Sequence, residues 1–208
     1  MDNPLAHYLQ LPGLKKLEIG AGMVRKPGWL ATDYDATGAD ALQHDATQPF
    51  PVPSESFDYI YTEHMVEHIP YVGAQAMFKE CLRMLKPRGV LRVVTPSIGF
   101  LTRILSADRS KFEESYRNWS VSSFVPEAPR ITNAFFLNNF VRAWGHKFIY
   151  DLETLLLTLD IAGFKDTVSC SFNQSEHAAL RNLANDSRLP PGFLDMESMT
   201  VEASKPGP

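Results

Sequence analysis

The sequence predicts an α/β protein with a doubly wound, mostly parallel seven-stranded sheet, helices on both faces and a helical insertion over the active site. Residues 16–19 form a short apolar segment that leads into a glycine turn at 20–22, as a buried strand would. Further strand-like segments follow, separated by segments with helical periodicity. Residues 97–145 are rich in aromatic side chains and too long for a plain loop, so they should contain helices of their own.

Composition fits one globular domain, 1–208, in which 97–145 is an insertion covering the substrate. The alternative is that this insertion only extends the core or forms a dimer face. The net charge is −4 and no cluster of lysine and arginine stands out, which argues against nucleic acid and leaves a small neutral or cationic molecule as the expected partner. No apolar run reaches membrane-span length and no signal segment begins the chain, so a cytoplasmic location without membrane contact is expected.

The chain before the insertion should supply five strands. Residues 1–14 are predicted to be a loosely docked terminus, with the alternative that His7, Tyr8 and Leu9 lie over the site. The strands predicted after the glycine turn are listed here: 29–32 ending at Asp33, 39–44 followed by Asp45, 56–62, and 90–96. A helix over 71–86 separates the last two, and the Pro-Arg-Gly turn at 87–89 ends it.

The chain after the insertion should complete the sheet. Asp151 can cap a helix that Gly163 ends. Residues 164–172 should form the sixth strand, 176–185 a helix and 198–203 the last strand.

The glycine turn differs from a dinucleotide-binding turn. Gly20 and Gly22 leave room for a ligand to approach the backbone, since neither has a Cβ. A dinucleotide fingerprint requires glycine or alanine where this chain has Arg25, and its acidic residue comes later than Asp33 does. These departures disfavour a nicotinamide enzyme.

The pattern Glu18-x-Gly20-x-Gly22, with Asp33 soon after, resembles motif I of class I S-adenosylmethionine-dependent methyltransferases. The resemblance covers residues 15–96 and resumes over residues 145–164. Within it, residues 56–96 resemble the small members of the class, which act on small molecules. This chain has Pro-Arg-Gly at 87–89, where those enzymes usually have Pro-Gly-Gly. It implies S-adenosylmethionine as cofactor. The residues that would bind it are Glu18, Gly20, Ala21, Gly22, Asp33 at the ribose, Asp45 and Ala46 at the adenine, and Glu63 and His64.

Three side chains are candidate catalytic residues. His64 follows the fourth strand at the carboxyl edge of the sheet, and imidazole titrates near neutrality, so it is the first candidate for a general base. His146 is the second, and Tyr150 is a lesser one. For each histidine the alternative is a structural hydrogen bond.

A metal ion is not expected, but one alternative set exists. His64, Glu67 and His68 fall on one helical face, and His146 could join them. Some methyltransferases bind a divalent ion through a Glu-x-x-Glu-His motif and a distant histidine, and this chain has His64 where that motif begins.

The resemblance implies in-line transfer of a methyl group to a small-molecule acceptor, at O, N, S or C, by a monomer or homodimer. The alternatives are a different reaction of the same cofactor, metal-assisted transfer through His64, Glu67, His68 and His146, and a non-catalytic partner module.

Overall fold

The computed structural model describes residues 4–36 and 40–207. The first three residues of the predicted terminus, Ala39 of the predicted third strand and the last residue of the predicted domain lie outside this part of the chain. The strands are β1 Lys16–Ile19, β2 Leu30–Asp33, β3 Leu42–Gln43, β4 Phe57–Glu63, β5 Leu85–Pro96, β6 Lys165–Cys170 and β7 Ser198–Ser204. The α-helices are α1 Pro4–Gln10, α2 Tyr71–Met84, α3 Ile98–Leu105, α4 Lys111–Phe124, α5 Asn133–Arg142, α6 Leu152–Ala162 and α7 Phe193–Glu197.

The seven strands form one sheet in the order β3-β2-β1-β4-β5-β7-β6. Strands β1 to β5 are parallel to their neighbours, whereas β7 lies antiparallel between β5 and β6. The predicted α/β fold with a seven-stranded, mostly parallel sheet is confirmed. The strand order reverses between β1 and its neighbours β2 and β4, and a ligand site is expected at the carboxyl edge there.

One face of the sheet packs against α2 and α6 in the main core. Side chains of alternate strand residues, such as Leu17 and Ile60, are fully buried there, together with Phe78 of α2 and Leu155 of α6. The predicted helix 71–86 ends two residues early, because Pro87 disfavours helical backbone at the residue before it.

The opposite face is polar and is covered by 171–192, where the structure has only two short 3₁₀ turns, Ala178–Leu180 and Asp186–Arg188. The predicted helix over 176–185 is therefore wrong. Local polar contacts replace helical ones: Asn173 Oδ1 accepts the N–H of Ala184 at 2.9 Å. Side chains of this type compete with helical hydrogen bonds.

The N-terminal segment is docked, so the prediction of a loosely held terminus is also wrong. Leu5 of α1 is buried in the main core. The Tyr8 hydroxyl accepts the N–H of Lys16 in β1 at 2.8 Å and lies 2.9 Å from the carbonyl of Gly28. This hydroxyl fixes α1 against the first strand.

The insertion contains helices, as predicted, and has its own core. Helices α3, α4 and α5 bury an aromatic cluster that includes Phe100, Tyr116, Phe136 and Phe140 and is joined by Phe193 of α7. A capping box begins α4, since Ser110 and Glu113 each bond the other's backbone N–H. Among the described residues, no helix is long and apolar enough to cross a membrane.

Candidate functional site

The glycine turn lies at the carboxyl end of β1, where its backbone bends toward β2. Gly20 has φ +75° and its N–H donates to the carbonyl of Thr32 at 2.9 Å. A Cβ at Gly20 would lie 2.2 Å from Cγ of Met65, whereas a Cβ at Gly22 would meet open space. Gly20 is therefore required because a side chain there would clash with Met65. Gly22 leaves open space beside the backbone, where a ligand could approach.

A cavity of about 950 Å³ opens beside this turn at the carboxyl edge of the sheet. Every residue predicted to bind the cofactor lies in its wall. These residues are Glu18, Gly20, Ala21, Gly22, Asp33, Asp45, Ala46, Glu63 and His64. They come from β1, β2 and β4 and from the loops that follow β1, β3 and β4, so the sheet brings together residues far apart in sequence.

Two aspartates stand on neighbouring segments of this wall. Asp33 Oδ2 accepts the N–H of Gly22 at 2.7 Å, and Asp33 Oδ1 accepts that of Asp35 at 3.0 Å. Asp45 Oδ1 accepts the N–H and the hydroxyl of Thr47, at 2.9 and 2.7 Å, and these bonds lower the pKa of Asp45. Each carboxylate has lone pairs left for a ligand.

Glu18 and Glu63 are two acids of the cavity wall that lie near the same lysine, Lys26. Lys26 Nζ lies 2.5 Å from Glu18 Oε1 and 4.0 Å from Glu63 Oε2. Glu63 also accepts the N–H of Asn185 at 3.2 Å and the guanidinium of Arg188 at 2.9 Å. Burial raises the pKa of Glu18, and Lys26 opposes that effect.

The cavity has the features that S-adenosylmethionine would need. Glu18 Oε2 is buried and, within the described residues, has no hydrogen-bond partner, so it can accept a donor from a ligand. The turn offers backbone without side chains at Gly22, and Asp33 and Asp45 offer acceptors along the cavity. The residues present fit this cofactor.

His64 stands at the boundary between this cavity and a second one of about 300 Å³. It follows β4 with φ +47°, in the left-handed region that non-glycine residues rarely adopt. Its Nε2 lies 2.8 Å from Ser198 Oγ. Its Nδ1 lies 3.5 Å from Glu67 Oε1 and 3.8 Å from Glu197 Oε1. Burial lowers the pKa of His64 to about 3, so its ring is neutral near pH 7.

Glu67 and Glu197 are two buried acids on the wall of the second cavity. Glu67 Oε2 accepts the hydroxyl of Thr95 at 3.0 Å, and Glu67 Oε1 lacks a hydrogen-bond partner within the described residues. Glu197 Oε2 accepts the hydroxyl of Tyr116. Burial raises the pKa of Glu67 to about 8 and that of Glu197 to about 7.

The other two predicted catalytic residues are placed differently. His146 lines the second cavity, and its Nδ1 donates to the carbonyl of Phe140 at 2.6 Å, which leaves Nε2 as the acceptor nitrogen. Tyr150 is fully buried in the main core against Tyr71 and Phe148, and it lies in the wall of neither cavity.

Part of the alternative metal set is brought together. Donor atoms of Glu67, His68 and His146 all lie within 4.8 Å of one another. Glu67 Oε1 lies 3.8 Å from His68 Nε2. His64 is near Glu67 but falls outside this group of three.

Four residues that contact predicted site residues are absent from the predictions: Lys26, Arg188, Glu197 and Ser198. Lys26 lies in the loop after the glycine turn, eight residues from its partner Glu18. Its positive charge close in sequence to Glu18 could have indicated this ion pair. Arg188 and Glu197 act on Glu63 and His64 across more than 120 residues of sequence. No local pattern could have found them.

Comparisons with known proteins agree with the fold. Residues 16–93 match the family model described as a methyltransferase domain. A search of curated proteins found no match. Among solved structures, a SAM-dependent methyltransferase from Archaeoglobus fulgidus is similar over 96% of this chain and 89% of its own, with 15% identity and a TM-score of 0.53. An S-adenosylmethionine-dependent methyltransferase from Mesorhizobium loti is similar over 96% and 95%, with 16% identity and a TM-score of 0.53.

Proposed function

This chain has the fold of the class I S-adenosylmethionine-dependent methyltransferases and a methyltransferase domain over 16–93, and from that premise we propose that it methylates a small molecule bound in the second cavity. S-adenosylmethionine is the cofactor of this family and supplies an electrophilic methyl group on its sulfonium. Glu18, the glycine turn, Asp33 and Asp45 would hold it in the larger cavity.

The observation that carries the proposal is the shared wall between the two cavities. His64, His68 and Arg188 line both. Methyl transfer requires donor and acceptor in line, about 3 Å apart, and much of the rate can come from that placement. Adjacent cavities that share a wall at His64 supply such an arrangement.

The insertion supports the acceptor side of the proposal. Tyr116, Trp119 and Phe124 of α4, with Phe140 and Trp144, line the smaller cavity. They give the cavity an apolar wall, which would reduce the access of water to a bound acceptor. We therefore propose that 97–145 covers the substrate.

We propose roles for the three predicted catalytic residues in an order. His64 is first to accept a proton from the acceptor, because its neutral ring lies on both cavities and Ser198 orients it. His146 is second, because its free Nε2 belongs to a ring on the smaller cavity. Tyr150 is last, because it lies in the core.

The test is binding followed by transfer. Calorimetry with S-adenosylhomocysteine should show one site per chain, and isotopically labelled S-adenosylmethionine with small-molecule extracts should yield a labelled product. Binding without transfer across broad acceptor screens would favour a partner module. Turnover that leaves no S-adenosylhomocysteine would favour a different reaction of the cofactor.

The finer expectations belong to this proposal as well. We propose a cytoplasmic enzyme that binds neither nucleic acid nor membrane and is a monomer or homodimer. Light scattering after gel filtration would give the oligomeric state, and sedimentation with vesicles or nucleic acid should leave the protein in the supernatant.

A second candidate is metal-assisted transfer. It is favoured by one observation, the meeting of Glu67, His68 and His146 donors on the acceptor side of His64. Metal analysis of protein purified without a histidine tag would support it only if stoichiometric metal were found.

A further inference from the structure

The smaller cavity has an aromatic wall contributed by the insertion. Its rings form a connected series: Tyr116 and Trp119 have centroids 5.5 Å apart, Trp119 and Phe124 5.3 Å, and Phe124 and Trp144 5.1 Å. Ring faces attract cations, most strongly where water is excluded. A wall of this kind favours a ligand with both an apolar part and a positive charge.

The opposite wall carries the two acids Glu67 and Glu197. The Glu67 side chain is fully buried, yet its Oε1 has no hydrogen-bond partner within the described residues. Buried polar atoms are normally paired, because leaving one without a partner costs about 1–3 kcal/mol. This oxygen is therefore available to a donor that arrives with the ligand.

Among the described residues, no lysine or arginine is paired with the Glu67 or Glu197 carboxylate within 4 Å. Arg188, the one lysine or arginine in the described wall, is paired with Glu63 at 2.9 Å. The groups within 4 Å of the Glu67 and Glu197 carboxylates that could carry positive charge are His64 for both and His68 for Glu67. An anionic ligand would meet two acids here, whereas an ammonium group would meet two acceptors.

We infer that the acceptor is an organic amine, received as its cation between the aromatic wall and the carboxylates of Glu67 and Glu197, and methylated on nitrogen. The inference rests on the proposed function and narrows it to one class of acceptor. A buried oxygen without a partner, a connected aromatic wall and a cavity without a free lysine or arginine each point to this class.

The reaction balances with the groups present. The bound ammonium gives one proton to His64, the base proposed above, whose Nδ1 lies 3.8 Å from Glu197 Oε1, and the freed lone pair on nitrogen forms the N–CH₃ bond. The S–CH₃ bond breaks at the same time and leaves its electron pair on sulfur, so a neutral thioether and an N-methylammonium product result. His64 then releases its proton to water.

The experiment compares three probes of matched shape and different charge. Protein saturated with S-adenosylhomocysteine, in a buffer containing a metal chelator, is titrated by calorimetry with phenethylamine, 2-phenylethanol and phenylacetate. We expect the amine to bind about tenfold or more tightly than the alcohol, and phenylacetate not to bind.

Variants test the two walls separately. Glu197→Gln and Trp119→Leu should each reduce the preference for the amine over the alcohol several-fold while leaving S-adenosylhomocysteine affinity unchanged. Glu153→Gln, on the exposed side of α6, is the matched control and should change neither. Unchanged cofactor affinity shows that the variants are folded.

Two kinds of failure are distinguishable. Equal or tighter binding of the alcohol or phenylacetate, or no binding of any probe, with S-adenosylhomocysteine bound normally, would overturn the amine inference and leave the proposed function standing. If the protein without substitutions does not bind S-adenosylhomocysteine, the proposed function itself is overturned.

Discussion

Asp33 joins the glycine turn to the second strand at the level of a single residue. Its two carboxylate oxygens accept the N–H groups of Gly22 and Asp35, so the same side chain shapes the turn and faces the larger cavity. A carboxylate held in this way keeps lone pairs for a ligand and needs little reorientation on binding, and we propose that the ligand groups are ribose hydroxyls.

Asp33→Asn should weaken S-adenosylhomocysteine binding about tenfold or more, because a hydrogen bond to a charged acceptor contributes about 1.5–3 kcal/mol. Calorimetry gives the dissociation constant. Asp35→Asn is the control, since Asp35 also lines the cavity but is exposed. A larger loss in Asp35→Asn than in Asp33→Asn would show that the register of β2 was misjudged.

Glu67 should make stability depend on pH in a defined window. Its pKa in the folded protein is about 8, above the ordinary 4.5, so its stabilising effect is complete below about 4.5 and is lost as pH rises through 8. Glu197, at about 7, has the same sign. His64 has the opposite sign, but its effect changes only between about 3 and 6.5.

The free energy of unfolding should therefore fall between pH 6.5 and 8, and Glu67→Gln should flatten that fall. Denaturant titrations at a series of pH values, with chelator present, measure it. Glu153→Gln, exposed on α6, should follow the unaltered protein. Parallel pH profiles for Glu67→Gln and the unaltered protein would contradict the assignment.

At the scale of elements, what could be predicted depended on how local the signal is. The stripe of Met77, Phe78 and Cys81 repeats at helical spacing and predicted α2 within two residues. The segment 176–185 was predicted as a helix, but the structure has turns there. The Asn173 side chain accepts the N–H of Ala184, and the Arg92 guanidinium donates to the carbonyl of Gln174. Both side chains lie outside the segment, so its own sequence does not reveal these contacts. Likewise, the Tyr8 hydroxyl fixes α1 by a hydrogen bond to Lys16, and a hydropathy pattern does not predict such a bond.

The glycine turn gives a test at this scale. Gly20→Ala should lower the free energy of unfolding by about 2–5 kcal/mol, because the new Cβ combines left-handed backbone with a clash against Met65. Gly22→Ala should cost only about 1–2 kcal/mol, because it meets open space at φ +57°. Urea unfolding compares them, and equal losses would contradict this account of the turn.

At the scale of the whole molecule, the sheet could be predicted because glycine spacing and strand-end acids are local features that the parallel sheet gathers at one edge. The acceptor side could not, because Ser198 and Glu197 reach His64 across more than 130 residues. The nine residues predicted to bind the cofactor thus all line the larger cavity, and the aromatic insertion was predicted to cover the substrate, whereas Glu197 and Arg188 were not predicted to belong to the site.

Removing metal should leave the protein unchanged. Dialysis against a chelator should alter neither methyl transfer nor the thermal midpoint, because the proposed in-line transfer from S-adenosylmethionine uses no metal ion. Stoichiometric metal together with loss of activity on chelation would contradict this prediction and favour the metal-assisted candidate.

Strand β7 has a consequence for synthesis on the ribosome. It follows the other six strands of this sheet in the described sequence, yet it lies between β5 and β6 and begins with Ser198, the partner of His64. In a nascent chain, the backbone edges of β5 and β6 therefore stay unpaired until the residues of β7 have emerged from the ribosome. The gap between these two edges is the seam that β7 closes. The proposed activity should therefore appear only after β7 has entered the sheet and placed Ser198 beside His64.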